Sequence, residues 1–115
     1  MDIKRIEVGK RLSQAVVHGN TVYLAGQVAD DPAADAKGQT EQILGRIDRL
    51  LAEAGSDKTK LLSATIWITD MRFFADMNAV WDAWVPEGKS PARATVEARL
   101  AAPPYKVEIA VIAAR

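Results

Sequence analysis

The chain has no cysteine and only one histidine, His18. Without cysteine it can form no disulfide, and it has no thiolate to serve as a nucleophile or a metal ligand. A single histidine argues against a zinc site, and any Ser-His-Asp triad would have to be centred on His18. Because His18 precedes a Gly-Asn pair, a hairpin-end position is the simpler interpretation. Asp30, Asp31 and Asp35 stand in a Pro/Ala-rich stretch, which is more typical of a solvated loop than of a cation site.

The chain also lacks an excess of charge of one sign and any long apolar run. Lys+Arg and Asp+Glu number 15 each, so the basic excess of a general nucleic-acid binder is missing. No segment approaches the ~20 apolar residues of a membrane span, and the N-terminus has no signal-peptide core. We therefore expect a soluble cytoplasmic protein, with neither a nucleic acid nor a membrane as its partner.

What the chain does have is enough apolar material for one core. Of its 115 residues, 49% are hydrophobic, which predicts a single packed domain over residues 1–115. Its periodicity divides it into strands and helices. The predicted strands are Ile3–Val8, Gln14–His18, Thr21–Val28, Leu61–Thr69, Ala92–Leu100 and Tyr105–Ala113.

Two apolar stripes at helical spacing complete the pattern, one from Ile43 to Ala54 and one from Phe73 to Trp84. Gly55 suits the C-cap of the first helix, after a polar loop that runs to about residue 38. The resulting order is β-β-β-α-β-α-β-β. It predicts an α+β fold, a mixed sheet with two helices packed on one face.

Local signals support these boundaries. Gly19-Asn20 is a two-residue hairpin turn between the second and third strands. Asp70 can cap the second helix. Gly26 permits a close backbone approach beside the sheet, or it marks a bulge.

The segment Ser90–Glu97 (SPARATVE) is the most informative part of the chain. It places Arg93 at the start of a strand, just after a proline that cannot join a sheet ladder. Polar and apolar residues alternate from there, so the polar set shares one face of the strand. The polar set is Arg93, Thr95, Glu97 and Arg99. Because arginine pairs two-pronged with a carboxylate or a phosphate, we favour a small-anion site over an ordinary surface or interface arginine.

These residues, followed by Lys106–Ile109 (KVEI), resemble the signature of the RidA/YjgF family of reactive-intermediate deaminases. Further blocks similar to the family follow in the family's order and cover nearly the whole chain. They are Tyr23–Val28, Ala64–Asp70 and Met77–Trp84. The last block is most similar to the YoaB-like branch.

The resemblance implies a chorismate-mutase-like fold, a homotrimer with sites between subunits, and hydrolysis of 2-imino acids to 2-keto acids and ammonia without a metal or organic cofactor. Arg93 then matches the carboxylate-binding arginine, and the backbone N–H of Thr95 helps to hold the ligand. Glu108 matches the water-positioning glutamate, and Asn78 the helix asparagine near the pocket. By themselves, Thr95 reads as a strand residue and Glu108 as a solvated charge beside Lys106.

Three more residues are expected to line the pocket. Gly26 belongs to the Gly-Gln end of the early hairpin strand, and Trp84 is the tryptophan most suited to wall the site. A pocket tyrosine of many family members falls near Leu12 here, and no tyrosine occurs before Tyr23. Substrate preference is therefore expected to differ from that of tyrosine-bearing members.

The positions of Arg93 and Glu108 leave two arrangements open. If the last two strands formed a simple hairpin, Glu108 would face about Glu97, and Arg93 would lie about 13 Å further along at the usual strand rise. Either the pairing is not a simple hairpin, or the two residues of one site come from different subunits.

Two other functions remain open beside deamination. The Arg93 pocket could bind a keto acid or a related metabolite without turnover. Some family members carry the label of endoribonuclease or translation inhibitor, which the neutral charge and the lone histidine argue against.

Overall fold

The computed structural model describes all 115 residues. Its strands are β1 (Ile3–Val8), β2 (Ser13–His18), β3 (Thr21–Leu24), β4 (Leu61–Ile68), β5 (Ala92–Glu97) and β6 (Val107–Ala114). Its helices are α1 (Ala36–Glu53) and α2 (Phe74–Trp84), with short 3₁₀ turns at Lys58–Lys60 and Met71–Phe73. The predicted order of strands and helices is confirmed. None of the helices combines the length and the apolar character needed to cross a membrane.

The six strands form one mixed sheet in the order β1-β2-β3-β6-β4-β5. Only β4 and β5 are parallel, joined by a crossover through α2, and every other pair is antiparallel. β6 inserts between β3 and β4, so β5 is left as an edge strand. The last two strands therefore do not pair as a simple hairpin, which is the first of the two alternatives left open above.

Both helices cover the same face of this sheet and bury the core there. The α1 stripe is fully enclosed: Ile43, Leu44, Ile47, Leu50 and Leu51 are at most 2% exposed. The central strands contribute every second residue to this face, as the two-residue period of a strand requires. These residues are Ala64, Ile66, Ile68, Val107, Ile109, Val111 and Ala113. The prediction of a mixed sheet with two helices on one face is confirmed.

The glycines predicted at the hairpin turn and at the end of the first helix have the expected backbone conformations. Gly19 has φ +61°, as the first position of a tight hairpin turn, and pairs His18 with Thr21. Gly55 follows α1 with φ +80°, where a residue with a side chain would be strained. The Asp70 carboxylate accepts the N–H of Arg72 and starts the 3₁₀ turn that leads into α2. The predicted Asp70 cap of α2 itself is therefore wrong, because α2 begins after Phe73 with no side-chain cap.

Two strands end earlier than their patterns predict. β3 ends at Leu24 rather than Val28, because the chain leaves the ladder at Ala25-Gly26 and pairs again only at Gln27, opposite Ile109. β5 ends at Glu97 rather than Leu100, because its partner β4 ends at Ile68. Ile68 accepts one last N–H, from Ala98.

A buried amide ties the start of β6 to the loop before α1. Gln39 is fully buried, and its Nε2 donates to the carbonyls of Pro32, Ala34 and Pro104. Its Oε1 accepts the N–H of Lys106. Since every polar atom of this side chain has a partner, Gln39 fixes the point at which β6 enters the sheet.

Candidate functional site

The polar face of β5 points toward the helical layer. Arg93 pairs with Ala64 and Thr95 with Ile66, and both partners are buried beneath the helices. Directly paired residues share a face of the sheet. The Arg93 and Thr95 side chains therefore lie between the edge strand and α2.

Arg93 is half-buried and rests on an aromatic ring. Its guanidinium carbon lies 5.4 Å from the centroid of the Trp81 ring, within the range of a cation–π contact. The four ion pairs of the chain involve other residues, so no carboxylate of the same protomer neutralises Arg93. A guanidinium held in this way and without an internal ion pair can pair with an anion from outside the protomer.

Two buried oxygens without hydrogen-bond partners lie on the same two elements. They are Oγ1 of Thr95 on β5 and Oδ1 of Asn78 on α2. Asn78 precedes Trp81 by three residues, so both side chains lie on one face of α2. Buried polar atoms are nearly always paired in native proteins. The two exceptions lie on β5, which carries Arg93, and on α2, which carries the Trp81 ring beneath it.

The backbone of β5 adds a donor at the open edge of the sheet. The N–H of Ala98 donates to Ile68 of β4 at 2.9 Å. Because N–H groups alternate in direction along a strand, the N–H of Thr95 points the other way, out of the free edge. The Thr95 N–H is thus available to a ligand beside Arg93.

Glu108 lies on the opposite face of the sheet, which carries no helix. It pairs with Trp67 in the β4–β6 ladder. Gly26 lies against its carboxylate so closely that a Cβ on Gly26 would stand 2.1 Å from Glu108 Oε2. The carboxylate has no ion-pair or hydrogen-bond partner, and burial raises the pKa of Glu108 above its ordinary value.

The structure does not bring Arg93 and Glu108 together within one protomer. Arg93 aligns with Ala64 and Val111, whereas Glu108 aligns with Trp67. The two residues are thus two strands and three positions apart, or about 14 Å by the usual spacings, and they lie on opposite faces. The candidate site consists of two half-sites: an arginine half-site of Arg93, Thr95 and Asn78, and a glutamate half-site of Glu108 and Gly26.

The remaining predicted pocket residues lie outside both half-sites. Trp84 packs on Trp81, with the ring centroids 5.4 Å apart, but its indole N–H donates to Asp48 on α1. It therefore backs the ring beneath Arg93 rather than facing a ligand there. Leu12 lies in the β1–β2 turn and is 51% exposed. His18 is exposed at the β2–β3 turn, as expected.

Two residues that support the half-sites were not singled out by the sequence. Trp81 carries the Arg93 guanidinium, and its spacing of three from Asn78 on one helix was the available signal. Gln27 is buried, and its side chain donates to Gln14 and to the carbonyl of Ala25 and accepts from Arg46. It anchors the backbone beside Gly26, a role that no spacing indicates. The chain contains no cluster of three His, Cys, Asp or Glu side chains that could hold a metal.

Comparison with known proteins places this fold among the YjgF and Rid proteins. The structure of NMB1025, a YjgF family member from Neisseria meningitidis, has a TM-score of 0.97 and 47% identity, covering 100% of this chain and 96% of that chain. A Salmonella typhimurium protein, described as a candidate translation initiation inhibitor, has a TM-score of 0.90 and 44% identity over 98% of this chain and 97% of that chain.

The sequence comparison is equally extensive. Residues 2–115 match the family model described as Endoribonuclease L-PSP. YoaB of Escherichia coli K12, a RutC family protein, is 47% identical over 114 residues, 99% of each chain. The chain therefore belongs to the YjgF/RutC family, and the resemblance to the RidA/YjgF family seen in the sequence is confirmed.

Proposed function

We propose that the protein hydrolyses reactive 2-imino acids to 2-keto acids and ammonia, without a cofactor, at sites formed between the protomers of a homotrimer. The observation that carries this proposal is Arg93, a positioned and half-buried guanidinium with no carboxylate partner of its own. A planar carboxylate is the small anion that such a fork binds best.

The arginine half-site suits a small 2-imino or 2-keto acid. Arg93 holds the carboxylate, and the outward N–H of Thr95 donates a further hydrogen bond. The unpaired Oδ1 of Asn78 can accept from the imine N–H. These contacts fix the imine carbon relative to an attacking water, which lowers the entropic part of the barrier.

The glutamate half-site supplies the proton handling. The reacting form is the protonated imine, C=NH2+. Glu108 accepts one proton from the water as the water oxygen bonds to the imine carbon, which gives a neutral tetrahedral amino alcohol. Glu108 then returns that proton to the nitrogen, the C–N bond breaks as the hydroxyl oxygen forms the carbonyl, and the hydroxyl proton passes through Glu108 to solvent, so that the keto acid and ammonia leave. A carboxyl whose pKa is raised by burial exchanges a proton near neutral pH more readily than an ordinary glutamate.

The separation of the half-sites explains why the proposal requires an oligomer. About 14 Å and the sheet itself stand between Arg93 and Glu108 in one protomer, so one small substrate cannot touch both. The helix-free face that carries Glu108 also exposes apolar side chains, such as Tyr23 at 45% and Val96 at 44%. Packing that face against the free β5 edge of a second protomer would allow Glu108 of one chain to meet Arg93 of another. In a trimer, three such clefts would form.

A second candidate function is the binding of a keto acid without turnover. The arginine half-site favours this function, because a single protomer supplies all of its groups. They are the Arg93 guanidinium, the Thr95 N–H and the unpaired Asn78 Oδ1, and Glu108 is not needed for binding. The matching family model is described as an endoribonuclease, which suggests RNA cleavage as a third candidate function. The balanced charge of 15 basic and 15 acidic residues argues against it, as does the placement of the only histidine at an exposed turn.

The experiment that tests the proposal measures ammonia and keto-acid release from short 2-imino acids generated in situ. Wild-type protein should accelerate release, and Arg93→Ala should abolish the acceleration while leaving the circular dichroism spectrum unchanged. Arg93→Lys should recover only part of it, because an ammonium cannot pair two-pronged. Stabilisation of the wild type by a keto acid without any turnover of imines would favour the binding function instead. Full activity of Arg93→Ala would refute Arg93 as the carboxylate-binding residue.

A further inference from the structure

The chain of contacts behind Arg93 continues to the outer surface of the helical layer. Arg93 rests on Trp81, and Trp81 packs on Trp84 at 5.4 Å between ring centroids with the ring planes at 50°. The Trp84 indole N–H donates to both carboxylate oxygens of Asp48 at 3.1 Å. Lys58 lies over the Trp84 ring at 5.4 Å. Trp81 and Trp84 of α2 thus link Arg93 on β5 to Asp48 on α1.

We infer that Asp48 is a positioning residue for the carboxylate-binding arginine. Its carboxylate fixes the Trp84 ring, Trp84 fixes Trp81, and Trp81 holds the Arg93 guanidinium at the free edge of the sheet. This inference rests on the proposed anion site at Arg93.

The physical argument is that Arg93 has no other fixed partner. A long side chain without an ion pair samples several rotamers, and ordering it on ligand binding costs free energy. A cation–π contact reduces that cost only if the ring is itself held in place. Trp81 is buried in the core, and the outer side of its ring contacts Trp84, which is half-buried at the helix end. The hydrogen bond from its indole N–H to the Asp48 carboxylate is the only side-chain hydrogen bond that Trp84 makes.

Asp48 has no competing role that accounts for its position. It forms none of the four ion pairs of the chain, although Lys58 and Lys37 line the same groove between α1 and α2. Its side-chain hydrogen bonds go only to Trp84. Asp48 is exposed and lines an open groove of about 560 Å³, and its contact with the indole is a hydrogen bond from the ring N–H.

The test titrates pyruvate, a small 2-keto acid, into the folded protein by calorimetry. Asp48→Ala should raise the dissociation constant about 3- to 10-fold, the factor that corresponds to the ordinary net contribution of one hydrogen bond. Asp48→Asn should bind like the wild type, because its amide oxygen still accepts the indole N–H. Trp84→Phe should match Asp48→Ala, and the double variant should be no worse than either. In turnover, the change should appear in KM and leave kcat nearly unchanged.

The controls separate positioning from general effects. Glu41→Ala removes the same charge two turns earlier on the same face of α1, where the groove continues, and should leave pyruvate binding unchanged. Arg49→Ala breaks the ion pairs of α1 with Glu7 and Glu53. It should lower the melting temperature without weakening pyruvate binding.

The outcomes distinguish this inference from the proposed function. If Arg93→Ala abolishes pyruvate binding and Asp48→Ala binds like the wild type, the anion site stands and the positioning role of Asp48 is refuted. Additive losses in Asp48→Ala and Trp84→Phe also refute it. If the wild type does not bind pyruvate, or Arg93→Ala binds it unchanged, the proposed anion site fails and the inference fails with it.

Discussion

Arg93 and Glu108 lie on opposite faces of one sheet, separated by the β4 strand that pairs with both of theirs. Arg93 aligns with Ala64 and faces the helices, whereas Glu108 aligns with Trp67 and faces away from them. Each has the environment of a functional group: Arg93 lacks a counter-charge, and Glu108 is a desolvated carboxyl beside Gly26. One small molecule therefore cannot touch both groups within one protomer, and the proposed function has a second chain bring them together.

Replacing Glu108 with glutamine should remove turnover and keep carboxylate binding at Arg93. The amide retains the shape of the side chain but cannot take a proton from water. The wild-type rate should fall as pH decreases through the pKa of Glu108, which burial raises above its ordinary value. If the rate of imine hydrolysis fell in acid only at the pKa of a solvated glutamate, that result would contradict this account.

The same substitution should affect stability with a defined sign. Because folding raises the pKa of Glu108, the charged form destabilises the folded protein, and the stability gained from its protonation is lost as pH rises through the folded pKa. Glu108→Gln should therefore be more stable than the wild type at neutral pH and equal to it in acid. Urea unfolding at both pH values measures the difference.

Adding a methyl group at Gly26 should displace the Glu108 carboxylate. A Cβ there would stand 2.1 Å from Oε2, the mobile end of the side chain, so the carboxylate moves and the fold is kept. We expect Gly26→Ala to lower kcat at least tenfold, since a small misplacement of a catalytic group has that scale of effect. Gly45→Ala is the matched control, because no atom lies within 4 Å of its Cβ. It should stabilise α1 by up to about 1 kcal/mol and leave activity unchanged.

Removing the Thr95 hydroxyl should leave activity intact. The proposed role of Thr95 belongs to its backbone N–H, and its Oγ1 is buried without a partner. Thr95→Val keeps the N–H and the β-branched shape, and it removes an unpaired polar atom, so it should not lower stability. A large loss of imine hydrolysis in Thr95→Val, with the fold intact, would assign the role to the hydroxyl instead.

Replacing Gln39 with methionine should destabilise the protein strongly. Three carbonyls and the Lys106 N–H would lose their partner in a fully buried site. Each buried group left unpaired costs about 1–3 kcal/mol, so we expect a loss of at least about 3 kcal/mol by urea unfolding. Gln42→Met, which removes a single exposed bond to the Asp31 N–H, should cost far less.

The elements of the fold could be predicted from the sequence because their signals are local. The turn at Gly19-Asn20 and the stripe of α1 depend on neighbours a few residues away, and the structure agrees with both. The cap at Asp70 is also local, but it starts the 3₁₀ turn before α2 rather than α2 itself. The pairing of β5 could not be read in this way. It depends on β6 entering the sheet between β3 and β4, which is a choice between distant segments.

The site residues were predicted as members of a set but not in their arrangement. The alternation of β5 identified the shared face of Arg93 and Thr95, but it could not show that this polar face points toward the helices and leaves Val96 exposed. Arg93 and Thr95 can lie on the inner face because β5 is an edge strand, where their polar groups remain open to a ligand. The place of Trp84 behind Trp81 was missed, because both residues belong to the same apolar stripe.

The most direct test of the account mixes two inactive variants. Arg93→Ala and Glu108→Gln chains are unfolded together in equal amounts, refolded and assayed for imine hydrolysis. If one site takes Arg93 from one protomer and Glu108 from its neighbour, each mixed trimer contains one intact site. Random assembly then restores about a quarter of the wild-type activity. No activity above that of the separate variants, although mass spectrometry shows mixed trimers, would contradict a site shared between protomers.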